Sequence, residues 1–251
     1  MLARLQSLRE SATVAHVLPL ALFLSISALP AMLAVANPEL PWHRQAPEHW
    51  IYPIQTLFIG AVLVFFGKHY TFRPWRGLSL AVLLAVVGIA VWIIPAWIYE
   101  RNFTSPEAVP GWLAWLGVEE RREGFNPDLL AAWPGWQTAS VVMRFVRLVI
   151  IVPLAEELFW RGFLMRYVNA ADRAWQSVPF GEHSWRTFIV VTSLVVVAHQ
   201  PADYVAAVVW GSLVYYLAVR TRSLGACVTM HAVANLLLGL YVMQTRQWGF
   251  W

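Results

Sequence analysis

Long apolar runs alternate with short polar ones from one end of the chain to the other, and they are long enough to cross a bilayer as helices. A helix rising about 1.5 Å per residue needs about 20 apolar residues to span the hydrocarbon core. Candidate spans fall at roughly 14–36, 51–67, 78–99, 138–168, 187–200, 204–219 and 224–243. The segment 138–168 is longer than a span needs and contains Pro153, which predicts a kinked helix or two pieces. The pattern predicts an all-α fold, a polytopic transmembrane helical bundle with seven or eight spans.

Composition agrees with this reading. Of 251 residues, 59% are hydrophobic and 13% charged, whereas a soluble domain carries about 25% charged residues. No Ser/Gly/Pro-rich linker, low-complexity tract or repeat interrupts the runs, so residues 1–251 read as a single integral membrane domain. The net charge of +4 does not indicate nucleic acid, because the basic residues sit in short segments between hydrophobic runs, as topology signals do. Cys227 is the single cysteine, which excludes an intrachain disulfide and any multi-cysteine metal or iron–sulfur site. Arg4 and Arg9 precede an apolar run without a small-x-small cleavage signal, so that run reads as a first transmembrane helix rather than a removable signal peptide.

Loop charges set an orientation. Arg4, Arg9, Lys68, Arg73, Arg76, Arg161, Arg166, Arg173, Arg186, Arg220 and Arg222 fall on one side. The opposite side carries Glu39, Glu48, Glu100, Glu107, Glu119, Glu120, Glu123 and Asp128 with few bases. The positive-inside rule then puts the N-terminus in the cytoplasm, with a bacterial cytoplasmic (inner) membrane as the expected location. Trp112, Trp115, Trp133 and Trp136 mark the long acidic loop as an interfacial belt at the outer surface.

Against this apolar background, Glu156 and Glu157 in VIIVPLAEELFWRGFLMRY are costly, and intramembrane carboxylates are functional candidates by default. His199 in SLVVVAHQPAD and His231 with Asn235 in CVTMHAVANLLLG add polar groups on two further spans. At helical rise, Glu156 and His199 lie about 18 Å from the cytoplasmic ends of their spans, and His231 and Asn235 about 10–17 Å. His231 and Asn235 are spaced i,i+4 and share a face, able to converge on one reacting oxygen. Either residue alone could equally be an interhelical hydrogen-bonding group; the common depth favours a site. Adjacent glutamates point about 100° apart, so they divide roles. Glu157 stands i,i+4 before Arg161 in the favourable order for a structural ion pair, which leaves Glu156 as a water-activating base.

The motifs Glu156-Glu157-x-x-x-Arg161, the helix ending in His199, and His231-x-x-x-Asn235 resemble the successive motifs of the CPBP family of intramembrane proteases, which includes CAAX prenyl endopeptidases and bacteriocin-processing relatives. The protease-like core covers about 138–243. The run VPLAEELFWRGFLMRY is also similar to a bacterial branch, CAAX prenyl protease-related proteins associated with exosortase systems. The resemblance implies a bundle of about eight helices with a cavity open to membrane and cytosol. It also implies hydrolysis of a peptide bond in a membrane-associated or lipidated polypeptide. Glu156 would be the base, His199 its assistant, His231 and Asn235 the oxyanion holders, and Glu157 and Arg161 the supports. Val195 departs from the aromatic residue common four positions before the first motif histidine, a change in pocket lining.

Other chemistries stay open at this level. Glu156, His199 and His231 could supply three zinc ligands, although the chain has no His-Glu-x-x-His helix and the resemblance implies a metal-independent, glutamic mechanism with no cofactor. Cys227, i,i+4 before His231, could be a nucleophile but reads better as packing. Arg144 and Arg147 share a face, either to bind an anion or to snorkel toward the interface. His16 and Asp203 read as bundle or helix-start groups outside the site, and His43, His49, His69 and His183 as loop residues. A proton-coupled transporter would use the same buried Glu, His and Arg, but the paired repeats common in transporters are not visible. A noncatalytic membrane partner holding client proteins is the third reading.

Overall fold

Each of the seven hydrophobic runs folds as a helix, and among the described residues there are no strands. The computed structural model describes residues 2–37 and 39–251, leaving aside the side chains of residues 2–5. The Arg4 side chain, read above as a topology charge, therefore lies outside the described residues. Six helices are long and apolar enough to cross a membrane: α1 (Ala12–Leu33), α2 (Glu48–Phe65), α3 (Leu78–Asn102), α4 (Pro134–Ala170), α6 (Pro201–Thr221) and α7 (Leu224–Thr245). The seventh, α5 (Trp185–Val197), is apolar but short. It ends before His199, three residues earlier than a span of 187–200 requires.

Contacts group the chain into two compact units. The first comprises residues up to Thr71 together with Phe125–Phe159. In it, α1 and α2 pack against each other and against the first half of α4. Ser11 caps α1, its Oγ accepting from the Val14 amide at 3.3 Å, which satisfies a donor the helix start would otherwise leave open. At the far end Trp42 lies against Trp133 and Trp136, with ring centroids 6.4 and 5.7 Å away. Trp133 and Trp136 remain exposed, as interfacial anchors do.

Pro153 neither breaks α4 nor divides it. In a regular helix its ring would press on the carbonyl four residues back. Here α4 runs in π geometry over Arg147–Ile151, returns to α over Val152–Glu157, and is π again over Leu158–Leu164. The wider turn before Pro153 relieves the clash, so one continuous helix accommodates what the sequence presents as a kink. Such π segments are rare and occur frequently at functional sites.

The second unit comprises Phe72–Gly124 and Trp160–Trp251. In it α3 packs along α7 and α6, and α5 along α6. One stripe of α3, Ala81, Ala85 and Gly88, is buried, so backbones approach closely without a hydrophobic drive between helices. The opposite stripe, Val82, Leu83, Val86 and Val87, is exposed and apolar, a face suited to lipid. Ser184 caps α5 through the Thr187 amide (3.1 Å) and Ser223 caps α7 through the Ala226 amide (3.0 Å). Arg222, at φ 48°, makes the left-handed turn that joins α6 to α7 without a linker.

Candidate active site

The glutamate pair occupies the short α-helical stretch between the two π segments of α4. Glu157 is 0% exposed and Glu156 half-buried. Successive residues point about 100° apart, so one carboxylate enters the packing while its neighbour stays partly accessible. Arg161 lies in the second π segment and is 1% exposed. A buried Glu157 and a buried Arg161 each need a charged or polar partner, because an uncompensated buried charge costs several kcal/mol.

Within the first unit, Arg147 lies within electrostatic range of Glu156. Arg147 Nε donates to Gln55 Oε1 (2.9 Å) and a terminal nitrogen donates to Ser27 Oγ (3.0 Å). Gln55 in turn donates to the Phe23 carbonyl (2.6 Å) and to Ser27 Oγ (2.9 Å). The guanidinium carbon stands 4.2 Å from the Tyr52 ring centroid and 4.5 Å from that of Phe23, contacts that offset its desolvation. Arg144 is also buried, 4.8 Å from the Phe125 ring. Both arginines lie inside the unit, so the snorkelling alternative does not hold. Gln55, Ser27 and Tyr52 are residues that sequence reading missed, and no local signal marks them because they meet Arg147 only through folding. His49 was placed in a loop, yet it belongs to α2, is 1% exposed and stands 2.8 Å from Ser140 Oγ.

In the second unit, His199 follows the end of α5, half-buried rather than inside a span. Its Nδ1 donates to the Val195 carbonyl at 2.7 Å, which fixes the ring and leaves Nε2 as the nitrogen not engaged by that carbonyl. The Trp92 ring meets it edge-on at 5.2 Å. His231 is buried in α7 against Trp210, ring centroids 5.3 Å apart. Asn235, half-buried, follows one turn later on the same face.

α3 gathers the two imidazoles. Gly88 and Trp92 are spaced i,i+4 and share a face. A Cβ on Gly88 would come 2.9 Å from Trp210 Cε3, so the glycine is what lets Trp210 lie on α3. His231 therefore packs on the ring seated at Gly88, and His199 on the ring one turn further along. Neither Gly88 nor Trp92 announces this in the sequence.

Among the described residues, no group of three or more His, Cys, Asp and Glu side chains is arranged to hold a metal ion. Cys227 is fully buried in α7. Asp203, read above as a helix-start group, is a buried partner of Arg121 at 2.8 Å.

Neither a curated protein nor a solved structure matches the chain. A family model does, described as Rce1-like, type II CAAX prenyl endopeptidase, over residues 138–237. That interval contains Glu156, Glu157, Arg161, His199, His231 and Asn235, the residues whose spacing carried the resemblance in the sequence. That match supports an assignment to the CPBP/CAAX protease family over residues 138–237, in a chain with six helices long and apolar enough to cross a membrane.

Proposed function

We propose that the protein is a glutamate-dependent intramembrane endopeptidase. The observation that supports it best is the division of the glutamate pair, one fully buried and one half-buried, between two π segments of α4. In this reading Glu156 takes a proton from a water molecule as the water oxygen bonds to the scissile carbonyl carbon. His199 assists from its Nε2 side. The developing oxyanion accepts hydrogen bonds from His231 and the Asn235 amide, donors whose fixed orientation costs no reorganisation during reaction. Collapse of the tetrahedral intermediate breaks the C–N bond, and the proton held by Glu156 passes to the leaving amine. Glu157 pairs with Arg161 and holds the helix that presents Glu156.

The substrate in this proposal is a membrane-associated or lipidated polypeptide, and no metal or other cofactor takes part. The loop charges support an N-terminus in the cytoplasm and a cytoplasmic membrane location. An exosortase link rests on the single run VPLAEELFWRGFLMRY.

The test is a comparison of protein termini in membranes from cells producing the wild type or Glu156→Gln at equal levels. New carboxyl and amino termini present only with the wild type are expected. Identical termini, or capture of the same unprocessed client by both proteins, would instead identify a noncatalytic partner. Substrate flux in proteoliposomes without cleavage would identify a transporter. Loss of cleavage on chelation, restored by zinc, would overturn the metal-independent mechanism.

A further inference from the structure

Three membrane helices of the second unit end around one open cavity of about 450 Å³, lined by Arg76, Gly77, Leu80, Arg220, Thr221 and Arg222. Half of that lining is arginine and none of it is acidic. Among the described residues, no ion pair involves Arg76, Arg220 or Arg222. The positive-inside rule asks only that bases lie on one side of the membrane. It does not ask three of them to share a cavity.

The cavity is built rather than incidental. Arg76 Nε donates to the Thr221 carbonyl, fixing its guanidinium against the end of α6. Gly77 has φ 75°, and a Cβ there would meet Thr221 Cγ2 at 2.4 Å, so the loop closes on α6 only with glycine. Gly77 also precedes the first turn of α3 without a side-chain cap, which leaves the positive end of a 25-residue helix at the cavity wall. Arg222 Cγ packs where Gly181 has no side chain, within 3.1 Å of its Cβ position.

Trp75 is exposed, and its ring crosses the start of α7, where a Cβ on Gly225 would approach it to 2.6 Å. An exposed indole beside the ends of α3, α6 and α7 is what headgroup-level anchoring looks like. Forked guanidinium donors match phosphate oxygens geometrically. We propose that this cavity binds the phosphate of an anionic phospholipid headgroup.

The experiment uses the full chain in phosphatidylcholine nanodiscs with increasing phosphatidylglycerol, bound lipid being read by native mass spectrometry. A surface guanidinium contributes about fivefold in affinity for an anionic lipid, so R220Q is expected to weaken phosphatidylglycerol retention about fivefold and R220Q/R222Q about 25-fold. Arg76 is left intact because its bond to Thr221 also supports the fold. Unfolding midpoints in pure phosphatidylcholine should match the wild type; were the double variant unfolded, R220Q alone would decide. Retention within twofold of the wild type in the folded variants overturns the site. Inorganic phosphate and glycerol 3-phosphate form the second arm. Failure of either to bind at millimolar concentration is expected, whereas variant-sensitive binding as tight as that of the lipid would assign the cavity to a soluble phosphate and overturn the lipid claim.

Discussion

Removing Asp203 isolates a buried charge pair of the second unit. Arg121 is 5% exposed and Asp203 7%, with 2.8 Å between Nη2 and Oδ1. Arg121 also lies 3.3 Å from the half-exposed Glu119 and 5.1 Å from the Phe250 ring centroid. Breaking a buried pair from one side costs about 3–5 kcal/mol, because the surviving charge is left uncompensated. Glu119 recovers about 1 kcal/mol as a partly solvated partner. Asp203→Ala should therefore destabilise the protein by about 2–4 kcal/mol. Arg121→Met with Asp203→Ala removes both charges and should cost less than the two single variants added together, since neither charge is then left uncompensated. Unfolding by SDS in mixed micelles supplies the four stabilities of the cycle. A cost below about 1 kcal/mol for Asp203→Ala, or a cycle additive within about 0.5 kcal/mol, would refute the reasoning. Asp203 Oδ2 also accepts from Gln200 Nε2 at 3.1 Å, next to His199, so the same variant should slow cleavage beyond what its folded fraction explains.

Gly88→Ala should keep the protein folded, since alanine is the better helix former by about 1 kcal/mol, yet lower cleavage about 10–100-fold by pushing Trp210 against His231; unchanged turnover would remove α3 from the positioning of the site. Glu157→Ala should destabilise the fold by about 3–5 kcal/mol in the same SDS titration, whereas Glu156→Gln should change it by less than about 1 kcal/mol; the reverse order would exchange their roles. Outside the membrane, Lys68 holds the Glu10 carboxyl below the usual carboxylate range through a hydrogen bond and its charge. A depressed acid stabilises the folded state above its unfolded value and loses that contribution as pH falls through the folded one. Amide exchange at Lys68 and His69 should therefore rise on acidification in the wild type, and Lys68→Ala should abolish that pH dependence.

Helices were the legible part. A period-free apolar run is a local property, and seven runs foresaw seven helices to within a few residues. Helix ends were less legible, and the errors had consequences. Starting α2 at 51 instead of Glu48 put His49 in a loop, and extending α5 to 200 put His199 inside a span that ends at Val197. The π segments around Glu156 were invisible, because Pro153 reports strain without saying how the backbone relieves it. Partners distant in sequence could not be read at all: Gln55 is 92 residues from Arg147, and Asp203 82 from Arg121. The candidate site residues, by contrast, stood out because Glu, His and Asn are expensive in an apolar background, so their cost marked them before any contact was known.

The central claim is that Glu156 activates the water that cuts the peptide bond. Once the terminal comparison has supplied a client, purified wild type and Glu156→Gln can be reconstituted in the same lipid and followed on that client under single-turnover conditions. Replacing the carboxylate by an amide removes the base and, with His231 and Asn235 intact, should slow cleavage by about 10²–10⁴-fold at unchanged unfolding midpoint and client affinity. Cleavage within tenfold of the wild type by the folded variant would contradict the account.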